Sequence, residues 1–274
     1  MSLNNLKIYL LLSSLIIYGC ETTTSPEDII ANNPNDPKNP NYQPPKTLEI
    51  LLPLTNGKVV DSVFSISWLT NDVCSLYSFK LNNYPWSNWS SLKFANFYFL
   101  DDSTHTISVK SMHKNENLEE VPLTKYFTVD AIKNQSIYFY PRKVSVTPGN
   151  EFVSEIKVEE LPEVNGFKID ISYNPDILEF NQFIYNKEES NFLKKDNGTI
   201  LEITESTTPG NLVINLVRVS TTPYTKGSGS IGYIYWKLKY PLSSQKIFFN
   251  SSSEITKGQN KINLNYYSQL IELK

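Results

Sequence analysis

The stretch that decides the fold is NGFKIDISYNPDILEF, which runs from Asn165 to Phe180. Four large apolar side chains fall on one parity and alternate with polar ones: Phe167, Ile169, Ile171 and Tyr173. This period of two predicts a β-strand with one buried face. Pro175 has no N–H to donate to a sheet and biases Asn174 away from helix. The strand is therefore expected to end in a turn, after which ILEF begins a second strand.

Composition limits the class of protein and its partners. The chain has 274 residues, 40% of them apolar and 13% aromatic, so it can form one large domain or two smaller ones with real cores. The formal net charge is only -3, and the charges are interspersed along the sequence. A nucleic-acid-binding surface needs a concentration of basic side chains, so we expect no nucleic acid partner.

The chain after residue 46 reads as β-structure throughout. Short runs of Val, Ile, Tyr and Phe recur between clusters of Asn, Gly, Pro, Asp and Ser, and helix-period segments of convincing length are missing. The segment TVDAIKNQS closes one series of strands before IYFYPRKVSV begins another. The sequence therefore predicts an all-β protein with two β-sandwich domains, at residues 47–132 and 135–274.

The first twenty residues, MSLNNLKIYLLLSSLIIYGC, have the features of a signal peptide. One Lys precedes an apolar run from Ile8 to Tyr18 that is too short to span a bilayer comfortably. The ending IYGC resembles the lipobox of bacterial lipoproteins, which implies that Cys20 is acylated and becomes the mature N-terminus. Acyl chains would then hold the protein at a bacterial cell surface or outer membrane. The alternative is an ordinary signal peptide or anchor with an incidental Cys.

Residues 21–46 are rich in Thr, Asn and Pro and nearly free of large apolar side chains. Such a segment buries too little surface to offset the entropy of ordering, so we expect a disordered tether that lifts the domains away from the membrane. With Cys20 lipidated, Cys74 has no intramolecular partner. It is expected to be a small core residue rather than a reactive thiol.

The first predicted domain contains YSFKLNNYPWSNWS, STHTISVKS and KYFTVDA, and it resembles the Ig-like and fibronectin type III-like repeats of bacterial surface proteins. That resemblance implies a spacer. Tyr84, Trp86 and Trp89 lie close together in a turn-rich segment, where exposed rings could stack on sugars or else pack on neighbouring strands. His105 and His113 have no Cys or acidic cluster at metal-ligand spacing, so structural roles are expected rather than zinc binding.

The second predicted domain resembles the cohesin family. The resemblance lies in VSVTPGNEFVSEIKVEELPEVNGFKIDISYNPDILEF and, later, GSGSIGYIYWKLK. The matching residues are Val144, Val146, Gly149, Phe152, Gly166, Phe167, Tyr173, Pro175, Leu178, Phe180, Gly227, Gly229, Ile234 and Trp236. The resemblance implies a nine-stranded jelly-roll sandwich akin to certain carbohydrate-binding modules. The best-known members bind calcium-loaded dockerins on polysaccharide-degrading enzymes, so the implied partner is a dockerin-bearing protein or a polysaccharide.

The strand predicted over residues 231–238 has large side chains on both parities. We assign Gly232, Ile234, Trp236 and Leu238 to the core. The other parity forms the candidate recognition face and consists of Ile231, Tyr233, Tyr235 and Lys237. Covering by a loop is the alternative. The segment NLVINLVRV is also two-sided, and its orientation stays open because Asn215 and Arg218 fall on opposite parities.

The sequence offers no sign of catalysis: a nucleophile elbow, a phosphate-binding Gly loop, a metal-ligand cluster and a Ser/His/Asp arrangement are all missing. Adjacent acidic pairs at 119–120, 159–160 and 188–189 point to opposite faces of a strand and are expected to be solvated. We therefore expect a monomeric, non-catalytic surface protein without cofactor or metal, which acts by binding in polysaccharide utilisation. The alternative is a structural or adhesive protein that uses the sandwiches as a stalk.

Overall fold

The structure, a computed structural model, describes residues 33, 36–185, 191–240 and 244–274. A short 3-10 segment spans Phe192–Asn197. The strands within the described residues are β1 (Thr47–Leu51), β2 (Val63–Thr70), β3 (Cys74–Leu81), β4 (Phe94–Tyr98), β5 (Thr104–His113), β6 (Leu123–Thr128), β7 (Ser136–Tyr140), β8 (Lys143–Val146), β9 (Glu151–Val164), β10 (Gly166–Ser172), β11 (Leu178–Tyr185), β12 (Thr199–Thr208), β13 (Asn211–Val219), β14 (Thr225–Leu238), β15 (Gln245–Phe249), β16 (Glu254–Lys257), β17 (Asn260–Ile262), β18 (Asn265–Tyr267) and β19 (Gln269–Leu273). The predicted all-β fold class is confirmed.

Strands β1 to β6 form the first unit, which has two three-stranded sheets. One sheet has the order β1-β2-β4 and the other β3-β5-β6. Alternate side chains on each strand point into a shared apolar core, as the period of two requires. Its buried members include Ile50, Ile66, Trp68, Tyr77, Ile107, Val109 and Phe127.

Strands β7 to β19 form the second unit. Its larger sheet has the order β12-β13-β10-β15-β19-β8, with β16 beside β10 and β17 beside β16, and its smaller sheet has the order β11-β14-β9-β7-β18. Strands β7 and β8 are consecutive segments in different sheets, and so are β18 and β19. The start and end of this unit therefore pair twice in parallel, β18 with β7 and β19 with β8. The first and last strands of this unit are therefore hydrogen-bonded to each other in both sheets.

The opening stretch occupies β10, its turn and β11, as predicted. Phe167, Ile169 and Ile171 are buried between the sheets. Tyr173 is half-buried, and its ring meets Trp236 edge-on at 4.9 Å. In the turn, the side-chain Oδ1 of Asn174 accepts a hydrogen bond from the backbone N–H of Asp176 at 3.0 Å.

The two units meet around Arg142, whose side chain is buried. Its guanidinium carbon lies 5.3 Å from the ring centroid of Phe99 and 5.1 Å from that of Tyr267. The backbone N–H of Arg142 donates to Asp101 Oδ1 at 2.6 Å. Across the same junction, Lys246 lies 5.0 Å from the Phe99 ring centroid. The first unit therefore lies against the outer side of the larger sheet at the end formed by β19 and β8.

One acidic side chain departs from the expectation that the acidic pairs are solvated. The carboxylate of Glu119 accepts hydrogen bonds from Thr47 N at 2.7 Å, Thr47 Oγ1 at 2.7 Å and Ser111 N at 2.8 Å. It therefore ties the start of β1 to β5, and the expectation is wrong for this residue. The reason is a partner 72 residues away in sequence, which spacing alone does not reveal.

Part of the predicted tether falls within the described residues. Asn39 N donates to Asp36 O at 2.8 Å, and Tyr42 N donates to Asn39 O at 2.9 Å, so this piece forms consecutive turns. Asn71 Nδ2 donates to Pro44 O at 2.8 Å and holds the chain where it enters β1. The rest of the tether and the signal peptide, including Cys20, lie outside the described residues.

Candidate functional site

The outer side of the smaller sheet carries the two tyrosines predicted for recognition, and we call it the tyrosine face. Tyr233 and Tyr235 are half-buried on β14. Tyr233 lies opposite Glu155 on β9, and Tyr235 lies opposite Val153. Lys237 follows on the same side and is exposed. The three side chains share one face, as predicted, and their part in binding stays a prediction.

The assignment of Ile231 to this face is wrong. Its side chain is fully buried, with 0% exposure. The cause is a shift of register between Ser230 and Gly232, where β14 is irregular against β9. A bulge of this kind breaks the alternation of faces, so Ile231 and Gly232 are both buried although they are neighbours. The core assignment of the other parity, from Gly232 to Leu238, is confirmed.

The orientation of β13 is also settled. Arg218 points inward and is buried, where its Nη1 donates to Leu193 O at 2.5 Å and its Nε donates to Thr222 O at 3.0 Å. Two backbone carbonyls thus satisfy a side chain that rarely lies in a core. Asn215 lies on the outer side, opposite Lys168 of β10.

The outer side of β12, β13 and β10 exposes an aliphatic strip. Leu201, Val217 and Val219 are 60%, 44% and 49% exposed. Leu201 and Val217 are paired across β12 and β13, and Val219 follows on the same side. We call this surface the open face, because the first unit covers only the other end of the larger sheet. Sequence reasoning marked β13 as two-sided but did not identify these side chains.

A polar network lies on the outer side of β10, four residues along the strands from the strip. The carboxylate of Asp170 accepts hydrogen bonds from Asn211 Nδ2 at 2.6 Å, from Asn250 Nδ2 at 2.6 Å and from the Ser252 hydroxyl. Burial raises the pKa of Asp170, but the hydrogen bonds from Ser252, Asn250 and Asn211 outweigh it, so the pKa lies below its ordinary value. The open face thus combines an aliphatic part with a fixed negative charge.

The aromatic residues of the first unit do not form one platform. Trp86 and Trp89 are half-buried beside Lys110, whose ammonium lies 4.4 Å and 5.1 Å from their ring centroids. Contacts of this kind are cation–π interactions, and they match the alternative that the tryptophans pack on a neighbouring strand. Tyr84 is 64% exposed and lies apart from them, at the junction of the two units.

The two histidines and Cys74 have structural roles in the first unit. His105 is buried, and its Nε2 donates to Asp101 O at 2.8 Å while its Nδ1 meets Asn82 Nδ2 at 3.0 Å. His113 is buried too, and Asn115 N donates to its Nδ1 at 3.2 Å. Cys74 is half-buried against the first core. The described residues contain no group of three or more His, Cys, Asp or Glu placed to hold a metal ion.

The part of the chain that the structure describes also contains no helix that is long and apolar enough to cross a membrane. The lipid-bearing Cys20 predicted from the sequence lies outside that part.

Comparison with solved structures finds cohesin modules. The sixth cohesin of scaffoldin B from Acetivibrio cellulolyticus, solved in complex with a dockerin, has a TM-score of 0.42 at 12% identity, covering 52% of this chain and 100% of that one. CaCohA2 from Clostridium acetobutylicum has a TM-score of 0.41 at 16% identity, covering 52% and 93%. A non-cellulosomal cohesin from the archaeon Archaeoglobus fulgidus has a TM-score of 0.40 at 14% identity, covering 52% and 92%. No protein-family model matches the sequence, and a search of curated proteins finds no match.

Proposed function

We propose that the protein is a non-catalytic adaptor that holds a partner protein on the open face of its second unit. The observation that carries this proposal is the exposed strip of Leu201, Val217 and Val219. Contiguous apolar side chains cost solubility unless a partner covers them, and protein interfaces combine such a strip with a polar rim. Lys168 and Asn215, which pair with each other next to Val217 on the same outer side, supply such polar groups.

The chemistry of the strip favours a protein over a glycan. Its side chains are branched aliphatics, which pack against apolar side chains of a partner. Sugar rings stack instead on flat aromatic faces, which Leu201, Val217 and Val219 do not offer. The sequence resemblance to cohesins makes a dockerin-bearing enzyme of polysaccharide breakdown the partner to test first.

The test compares the two faces of one sandwich. Leu201→Asp with Val219→Asp places charges on the open face, at two exposed positions that are not paired directly across β12 and β13. Tyr233→Ala with Tyr235→Ala alters the tyrosine face and is the matched variant. Isothermal titration with calcium-loaded dockerin modules should show binding weakened at least about tenfold by the first pair and little changed by the second. Thermal melts of both variants check that each remains folded.

The other outcomes decide between the alternatives. If the tyrosine pair weakens binding and the aspartate pair does not, recognition belongs to the tyrosine face. If no dockerin binds and no partner is recovered from the organism's secreted proteins, the adaptor proposal is wrong. The protein is then better described as a structural or adhesive stalk.

We further propose that a lipid on Cys20 anchors the protein at a bacterial cell surface or outer membrane. The apolar run before the Gly19-Cys20 junction supports this. A Cys20→Ser variant should lose both detergent-phase partitioning and processing that is sensitive to globomycin. If the variant is processed and retained as before, the anchor is of another kind.

A further inference from the structure

A cleft of about 350 Å³ lies at the junction of the two units, at the end of the larger sheet that is remote from the open face. The first unit supplies the wall and floor from β3, β4 and the segment after β3. The second unit supplies the other wall from β8 and β19, through Lys143, Ser145 and Glu272. The volume is at the lower end of the range for small-molecule sites, so it suits one or two compact rings.

Aromatic rings form the apolar part of the cleft. Phe79 and Phe97 are among its lining residues, with ring centroids 5.8 Å apart and planes inclined at 72°. Tyr84 stands at the rim and is 64% exposed. An exposed ring beside a concave surface gives a flat apolar ligand something to stack on, while the Tyr hydroxyl remains able to hydrogen-bond.

Polar groups line the same cleft. The Asn96 side chain is held in place because its Oδ1 accepts a hydrogen bond from Ser65 Oγ at 2.6 Å. Ser145 is exposed on the opposite wall. Amide and hydroxyl groups that line one cleft together with aromatic side chains suit a ligand with apolar faces and a rim of hydroxyls.

The charges of the cleft are already engaged. Lys143 forms an ion pair with Glu272 at 2.7 Å, and each side chain is about one third exposed. The Lys80 ammonium lies 5.2 Å from the ring centroid of Trp86. A ligand with a net charge would have to break one of these contacts, whereas hydroxyl groups can bond to the paired carboxylate and ammonium as they stand.

We propose that this cleft binds a neutral sugar ring, at the end of or within an oligosaccharide. The site is separate from the open face, so the protein would touch a glycan and a partner protein at the same time. Because both units contribute a wall, the site exists only while the junction around Arg142 is closed.

The test is titration of the purified protein with neutral hexasaccharides of glucose, xylose and mannose, followed by calorimetry and saturation-transfer NMR. Inorganic phosphate serves as the charged comparison. Tyr84→Ala should weaken binding of the recognised sugar about tenfold, and Tyr84→Phe should change it by no more than about twofold, because stacking is kept. Tyr126→Ala is the matched control, since Tyr126 is a 72% exposed tyrosine of the same unit that lies outside the cleft.

Three results would overturn the proposal. The first is that none of the three hexasaccharides binds at concentrations up to about 10 mM. Any dissociation constant would then be larger than about 10 mM, which is too weak for recognition. The second is that phosphate binds in the cleft and sugars do not. The third is that sugar binding survives Tyr84→Ala but is lost in Trp86→Ala, which would move the site to the tryptophans beside Lys110.

Discussion

Phe167 shows at the scale of one residue what the opening stretch does for the second unit. Its side chain is buried, and its ring meets Phe192 edge-on at 6.1 Å. Truncation would leave a cavity between the sheets, so Phe167→Ala should lower the free energy of unfolding by about 3–5 kcal/mol. Denaturant unfolding of the whole chain measures this. The adjacent exposed residue provides the control, and Lys168→Ala should change stability by less than about 0.5 kcal/mol. Equal losses from both variants would contradict the burial of Phe167.

Asp170 gives a prediction for pH. Its folded-state pKa is lowered, because the hydrogen bonds from Ser252, Asn250 and Asn211 outweigh the effect of burial. A carboxylate of this kind stabilises the fold above its unfolded pKa of about 3.9, and the contribution is lost as pH falls through the lower folded value. NMR titration of the side-chain carboxyl should find its midpoint below the ordinary Asp value. Asn250→Ala should move the midpoint upward, and an unchanged midpoint would contradict the network.

At the scale of the element, the bulge in β14 decides which side chains of that strand reach the core. A Cβ on Gly232 would lie 2.6 Å from Phe183 Cζ and 2.8 Å from Ile184 O, so β11 approaches too closely for any side chain. Gly232→Ala should therefore destabilise the protein by roughly 1–3 kcal/mol. Lys237→Ala on the exposed side of the same strand is the control and should be nearly neutral. Melting temperatures of the two variants make the comparison, and an alanine tolerated at residue 232 would argue against this close approach of β11.

Strand β14 also shows how far the sequence predicts the candidate site. Alternation places Ile234, Trp236 and the two tyrosines correctly, because side chains of a regular strand alternate by geometry alone. The same rule fails at Ile231, since a bulge depends on the register with a distant strand. It also leaves β13 undecided, because the carbonyl groups that accept from Arg218 belong to residues 193 and 222.

The open face was missed for a related reason. A strand with large side chains on both parities is covered on one side by its own sandwich, but only the tertiary arrangement says whether anything covers the other. In this chain the first unit covers one end of the larger sheet and leaves Leu201, Val217 and Val219 exposed. Local patterning therefore predicts the fold class better than it predicts the binding surface.

At the scale of the whole molecule, the junction around Arg142 joins two units that each have a core. Burial lowers the pKa of Arg142, and the nearby Asp102 and Asp101 oppose that effect. Asp102 also accepts hydrogen bonds from the backbone N–H groups of Ala131 at 3.0 Å and Ile132 at 2.8 Å, which fixes the connection between the units. On the second unit, Leu270 is buried on the covered end of the larger sheet.

These contacts lead to a prediction about the fragment of residues 135–274. It should be soluble and unfold cooperatively, because its core and the parallel pairing of its first and last strands are its own. It should nevertheless be less stable than the same unit in the whole chain, by roughly 1–3 kcal/mol, since the contacts of Arg142 and Lys246 with Phe99 across the junction are lost. Arg142→Ala should destabilise the whole chain more than the fragment, because the side-chain contact with Phe99 exists only in the whole chain, whereas the contact with Tyr267 exists in both. Chemical denaturation of all four proteins completes this cycle. Equal effects of Arg142→Ala in both backgrounds would mean that the Arg142 side chain does not couple the two units.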